Sequence, residues 1–276
     1  MSRTDDIADI EIKLLLQGIF DVYGYDFREY SEASLRRRLT QWLSVSGYRN
    51  FSHAQADILR DRNLLDSFVA GITVNVSDMF RDPAFFRSVR EHILPHLRTY
   101  PFIRIWHAGC SNGEEAYSMS ILLHEEGLAG HFRIYATDIN EKVLENAKKG
   151  IFPLQSMQRF TKNYQSAGGK TSFSDYYSAR YGYAILNSSI GEHIVFANHN
   201  LAVDSDFGEM HMILCRNVLI YFRPALKERV LGLFDSCLLP GGFLCLGLKE
   251  TLEGRQLAGR YEEMLPRMRI YRKLYA

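Results

Sequence analysis

From residue 85 onward, apolar runs of strand length alternate with stretches of helical period. The order is "FIRIWHAG", "AYSMSILLHEEG", "FRIYATDIN", "EKVLENAKKG", then "IVFANHNL", "MHMILCRNVLIYF", "ALKERVLGLFDSCL" and "GGFLCLGL". Parallel neighbours need a helical crossover, so this alternation predicts an α/β fold: a doubly wound, largely parallel sheet with helices on both faces. The closing run "MRIYRKLY" predicts an edge strand. Around residues 150–192 the alternation breaks at Gly168-Gly169 and a stretch rich in tyrosine and serine, which marks an inserted subdomain. Within it, "YAILNSSIGEHIVFA" reads as a hairpin.

Residues 1–70 carry no strand signal and read as a small helical domain. Ile7, Ile10, Leu14, Leu15, Ile19 and Val22 recur at spacings of three and four, the period of one helix face. Gly24 stops that helix. Ser31 is placed to cap a second, with Leu35, Leu39, Trp42 and Leu43 as its apolar stripe and Gly47 at its end. A third helix is expected near Ala54 to Val69. Residues 71–84 then form a linker to the domain spanning 85–276, which opens with a helix ending near Pro95.

Net charge is +1, so no global field draws the chain to nucleic acid or to anionic lipid. No apolar run reaches membrane-spanning length, and the first residues are polar, so neither membrane insertion nor export is expected. Cys110, Cys215, Cys237 and Cys245 form no C-x-x-C pair, which suits reduced, mostly buried thiols of a cytoplasmic protein. His92 and His96 have the spacing of helical metal ligands, but Pro95 lies between them and no further ligand cluster accompanies them, so no metal is expected.

The chemistry is expected at the first strand-to-helix turn, "WHAGCSNGEEAYS". In a doubly wound sheet, ligands bind beyond the carboxyl ends of the strands. Gly109 and Gly113 close the turn there, and Asp138 ends the second strand, where a carboxylate commonly accepts both hydroxyls of an adenosine ribose. Glu114 and Glu115 open the following helix. A diphosphate beside them would meet like charge at close range, costing roughly 4 kcal/mol per pair near 4 Å at an effective dielectric of 20. The turn also lacks G-x-G-x-x-G spacing and a P-loop lysine, so NAD and ATP are disfavoured. S-adenosylmethionine suits the turn: an adenosine with no phosphate, an ammonium and a sulfonium. The plain alternative is that both glutamates only complement the helix dipole.

"NVSDMFRD", "GCSNGEEAYS", "ATDIN", "FANHNL" and "CRNVLIYF" together resemble the chemotaxis-receptor methyltransferases, the CheR family, over nearly the whole chain. The resemblance implies a helical N-terminal domain, a short linker and a class I S-adenosylmethionine-dependent methyltransferase (Rossmann-like) domain with a small antiparallel β-subdomain. It implies methyl transfer to glutamate side chains of methyl-accepting chemotaxis receptors, with S-adenosylhomocysteine as product. It places Asn75, Ser77 and Arg81 at the cofactor, Glu114 with Glu115 at the glycine turn, and Asp138 on the ribose. Asn200-Leu201 and Asn217-Val218 match the pairs flanking adenine and methionine, and Tyr221 the tyrosine near the transferred methyl. Ala116 stands where the family often has proline, and Lys249 where its last strand motif has a small polar residue.

A glutamate acceptor of pKa ~4.3 is already ionised at neutral pH, so placement rather than a general base should drive the reaction. Arg81 and Tyr221 are the candidate catalytic residues. Each has a plain alternative: a surface ion pair with Asp78 or Asp82 for Arg81, core packing beside Phe222 for Tyr221, and turn capping for Asn200 and Asn217. Arg36, Arg37 and Arg38 fan around the second helix, either as a solvated face or as a contact for an acidic receptor helix. Two other functions compete. A nucleic-acid methyltransferase of the adenine N6 type needs a D/N-P-P-Y/W loop, and "RNVLIYF" stands there instead. A cofactor-binding sensor without turnover would keep the same turn.

Overall fold

The computed structural model of the protein describes residues 3–252, 254 and 257–275. Its centre is a seven-stranded sheet. The strands are β1 (Ile103–Ala108), β2 (Phe132–Asp138), β6 (Ile194–Asn198), β7 (Met210–Cys215), β8 (Leu238–Leu246), β9 (Tyr261–Leu265) and β10 (Ile270–Lys273), in the order β6-β2-β1-β7-β8-β10-β9. The first five in that row run parallel, and β10 and β9 are antiparallel additions. Every residue of β7 is buried, as expected of a strand covered on both faces. The row reverses direction of growth between β1 and β7, which opens a crevice at their carboxyl ends.

Helices α5 (Pro83–Ser88), α6 (Leu94–Leu97), α7 (Glu114–Glu125), α8 (Glu141–Lys149) and α11 (Pro224–Cys237) belong to this sheet domain. Pro95 does not end the helix that begins at Pro83. A π-turn over Val89–Ile93, in which the Leu94 N–H reaches Val89 O, carries the helix past it to Leu97. The closing run also differs from expectation. β10 lies inside the sheet, and the edge is β9, the outer arm of a C-terminal hairpin.

A second, three-stranded antiparallel sheet has the order β3-β5-β4, formed by β3 (Ile151–Pro153), β4 (Tyr177–Arg180) and β5 (Tyr183–Leu186). Helix α9 (Met157–Ser166) packs beside it. The expected Tyr183–Ala197 hairpin does not form. Its first arm, β5, pairs with β3 and β4, while its second arm is β6 of the large sheet. The intervening "NSSIG" makes the short helix α10 (Ser188–Gly191) instead of a tight turn. The real hairpin turn is Tyr181-Gly182, where both residues have positive φ as a two-residue connection requires.

The first helices are α1 (Arg3–Tyr23), α2 (Glu32–Ser46), α3 (Phe51–Ile58) and α4 (Arg62–Ile72). They enclose their own core of Leu15, Ile19, Phe27, Leu39, Ile58 and Phe68, among others. Three expectations need correction here. The single stripe read on α1 is two: Leu15 and Ile19 are buried, while Ile7, Ile10, Leu14 and Val22 are exposed. The third helix is two helices, because Asp61 caps a new start by accepting from the Asn63 N–H. Ser31 does sit at the N-cap of α2, but its side chain makes no cap bond. Its N–H is spent elsewhere, on Tyr221 O at 2.7 Å. That bond, Arg223 N–H to Glu29 O at 2.8 Å, and the Tyr30 ring on Phe222 at 5.0 Å join the helical bundle to the loop after β7. The four cysteines are buried and unpaired. No helix among the described residues is long and apolar enough to cross a membrane.

Candidate active site

The crevice at the carboxyl ends of β1 and β7 holds a cavity of about 290 Å³. The glycine turn forms its floor. The Gly109 and Cys110 N–H groups both donate to Thr137 O at 2.8 Å, which folds the chain back over β2. Gly109 has φ 79°, and a Cβ there would lie 2.5 Å from a Val218 methyl, so only glycine lets the turn meet the loop after β7. Asp138 faces the cavity from the end of β2. One of its oxygens accepts from the Ser111 N–H at 2.9 Å and the other from the Asn140 N–H at 3.0 Å. Burial still raises this carboxyl above its usual range, against the pull of these donors.

The adjacent glutamates take different roles. Glu115 lines the cavity, accepting from Arg216 at 2.7 Å and facing His107 Nδ1 at 3.0 Å. Burial alone would raise its pKa, but the Arg216 guanidinium and His107 bring it down to about 2. Glu114 is not on the cavity wall. It is buried, 6% exposed, with one oxygen that meets no partner among the described residues. Burial, with Asp78 adding like charge, pushes its pKa up to about 7. The pair is therefore not a doubled open charge: one carboxylate is neutralised by Arg216 and the other is half protonated near neutrality. The repulsion expected of a phosphate at this turn is correspondingly smaller than two free glutamates would give.

A stability prediction follows for Glu114. Its folded pKa of about 7 exceeds the ordinary 4.5, so ionising it costs stability progressively as pH rises from about 4.5 to about 7. Glu114→Gln should stabilise the ligand-free protein at pH 8 by on the order of 1–3 kcal/mol and change little at pH 4. Thermal melts of both proteins across that range check it; equal gains at both pH values would refute it.

The predicted residues converge on this cavity in large part. Asn75, Ser77, Arg81, Asp138, Asn200, Leu201, Asn217, Val218 and Tyr221 all line it. The surface-pair alternative for Arg81 does not hold, because Asp78 pairs with Arg159 at 2.5 Å and Asp82 with Arg216 at 2.6 Å. Among the described residues the Arg81 guanidinium donates only to Val76 O at 3.2 Å, leaving most of it for a ligand. The capping alternative holds for Asn200, whose Oδ1 accepts from the Ala202 N–H, although the residue also borders the cavity. Asn217 adopts φ 62° and its N–H is held by Glu250 at 2.9 Å. The Tyr221 hydroxyl has no hydrogen-bond partner among the described residues. Its ring lies 4.7 Å beneath the Arg38 guanidinium.

The arginine trio is split. Arg38 is buried and reaches the cavity, with two bonds to Ser34. Arg36 pairs with Asp9 of α1 at 2.7 Å, and Arg37 points to solvent. Neither reaches the cavity. Three functional positions escaped the sequence reading. Arg216 lies inside "CRNVLIYF", but the motif shows nothing of its two carboxylate partners. Glu250 ties the 217–220 loop to the end of β8 by accepting from the Asn217, Ile220 and Gly247 N–H groups. Tyr30 reaches the cavity only because the helical bundle packs against Phe222. None of the three carries a local periodicity or spacing signal.

A seven-stranded sheet with this reversal, an acid at the tip of β2 and a glycine turn without a phosphate-binding lysine define a class I methyltransferase. The cavity suits its nucleoside donor. Asp138 faces it, Gly109 permits close approach, and the Ser111 hydroxyl on its wall is buried with no partner among the described residues. Family comparison agrees. "CheR methyltransferase, SAM binding domain" matches residues 75–265, and "CheR methyltransferase, all-alpha domain" matches residues 10–73. The "Putative methyltransferase Cher3" of Pseudomonas putida is 47% identical over 96% of this chain and 97% of its own length. The "Chemotaxis protein methyltransferase" of Vibrio anguillarum is 32% identical over 90% of this chain and 91% of its own. That of Listeria monocytogenes is 30% identical over 83% and 85%. The chain belongs to the CheR methyltransferase family, and its cofactor is S-adenosylmethionine.

Proposed function

We propose that this protein is a protein-glutamate O-methyltransferase acting on the cytoplasmic domain of methyl-accepting chemotaxis receptors, forming glutamyl methyl esters for sensory adaptation. The observation that carries this reading is a cavity bordered by cations. Arg38, Arg81 and Lys249 border it without a carboxylate partner among the described residues. His199, on its wall, donates from Nε2 to Ser205 O, and its buried Nδ1 has no partner among the described residues. Glu115, ion-paired and held to about 2, is too weak a base to deprotonate a hydroxyl or amine. Such a cavity favours an acceptor that arrives already anionic, as a glutamate does.

When bound, S-adenosylmethionine supplies a methyl group on a cationic sulfur. Asp138 takes the ribose hydroxyls, and Arg81 takes the carboxylate of the methionine end by charge-assisted hydrogen bonds. Asn200 and Leu201 border the adenine, and Asn75, Ser77, Asn217 and Val218 close the pocket around the rest. Tyr221 holds its free hydroxyl toward the acceptor oxygen, with Arg38 stacked on its ring to favour a carboxylate there. An ionised glutamate oxygen would accept the methyl group as neutral S-adenosylhomocysteine leaves, with no proton for these residues to move. Arg38, rather than Arg36 or Arg37, is the arginine in contact with the reaction. The other two remain candidates for steering an acidic receptor helix.

The test uses methyl-labelled cofactor, the protein and a chemoreceptor cytoplasmic fragment. Label should enter the fragment and leave it as methanol in alkali. Label that survives alkali, or that enters nucleic acid instead, would contradict the proposal.

A further inference from the structure

Arg81 sits between two residues that hold left-handed backbone without being glycine, Phe80 at φ 51° and Asp82 at φ 57°. Such strain persists only where the surroundings enforce it. Upstream, the Phe80 N–H donates to Ser118 Oγ of α7 at 2.8 Å, and Asn163 donates to Met79 O at 3.0 Å. The Phe80 ring is fully buried against Phe86 and Tyr164. Downstream, the Asp82 carboxylate meets Arg216 at 2.6 Å. The Arg216 side chain is 1% exposed, lies 4.1 Å over the Phe85 ring, and binds Glu115 with its other arm at 2.7 Å. The backbone is thus pinned on both sides of Arg81, while the Arg81 side chain is left toward the cavity.

We infer that Asp82, Arg216 and Glu115 form a clamp that presets Arg81 for the donor's carboxylate before any ligand arrives. They are positioning residues. The inference rests on the proposed contact of Arg81 with the cofactor. It also accounts for the second acid of "GEE": Glu115 anchors Arg216 from the first turn of α7, so its charge serves the linker. A buried arginine between two carboxylates is a poor way to gain stability alone, since apolar residues fill such space at least as well. Its ordered geometry suits placement, which is where small displacements cost most.

The test is calorimetric titration of S-adenosylhomocysteine into the wild type, Arg81→Ala, Asp82→Gly and the double variant. Glycine removes the anchor while accepting the left-handed turn, so the backbone is not penalised. Asp82→Gly should lower affinity about tenfold with a melting temperature close to wild type, and should add less than about twofold in the Arg81→Ala background. Wild-type affinity in Asp82→Gly beside a loss in Arg81→Ala would overturn the clamp and leave the Arg81 contact standing. Losses that multiply in the double variant would also overturn the clamp. Wild-type affinity in Arg81→Ala would overturn both. Should Asp82→Gly fail to fold, Asp82→Asn tolerates the same backbone, removes only the charge, and carries the same expectations.

Discussion

Replacing Asp138 by alanine will lower the affinity for S-adenosylhomocysteine roughly a hundredfold, the largest binding loss expected of any single change at this site. A carboxylate accepting both ribose hydroxyls makes two charge-assisted bonds, each worth about 1.5–3 kcal/mol. Their net loss, after water replaces them at an open crevice, is about 3 kcal/mol, or close to two decades. The same carboxylate holds the Ser111 and Asn140 N–H groups, so its loss also loosens the turn that carries the nucleoside. Asp138→Asn should recover little, because an amide nitrogen would face one of those donors. Ligand-induced thermal stabilisation reports this directly, since it depends on ligand concentration over dissociation constant. Each variant should shift far less with saturating ligand than wild type does, measured from its own ligand-free melt. An unchanged shift would remove Asp138 from the site.

Arg216→Met is the change with the largest expected cost to stability. It leaves Glu115 ionised and buried without its main partner, and breaking such a pair costs about 3–5 kcal/mol. At about 2–4 °C per kcal/mol for a chain of this size class, the melting temperature should fall by roughly 10 °C at pH 7. The sign with pH is fixed by Glu115. Its folded pKa of about 2 lies below the ordinary 4.5, so the pair's stabilisation is present above about 4.5 and lost as pH falls through about 2. The gap between variant and wild type should therefore narrow in acid. Glu115→Gln added to Arg216→Met should restore part of the loss at pH 7. A full-sized deficit at pH 3, or no recovery in the double variant, would show that the pair's charge is not what Arg216 contributes.

The turn, the acid at the end of β2 and the strand–helix alternation were legible because each is local: a strand-length run, two glycines and a carboxylate within a few dozen residues. What local reading missed depended on partners far along the chain. Glu114 and Glu115 are indistinguishable in sequence, yet a turn of about 100° along the helix puts one against Arg216 and buries the other with an oxygen that has no partner among the described residues. Arg36 to Arg38 look like one patch, but successive helix positions are about 100° apart, so only Arg38 turns to Tyr221. The apolar residues of α1 fit one stripe on paper and split across two faces in space, because Ile7, Ile10 and Leu14 sit on the side that the other three helices leave uncovered. The hairpin read at 183–197 failed for a similar reason: β6 finds its pairing partner in β2, dozens of residues earlier.

The most direct measurement is tandem mass spectrometry of a chemoreceptor cytoplasmic fragment after incubation with this protein and deuteromethyl S-adenosylmethionine. The account predicts deuteromethyl esters on glutamate side chains, strongly reduced with Asp138→Ala at limiting cofactor. Deuteromethyl on lysine, arginine or a hydroxyl, with the glutamates unmodified, would contradict it.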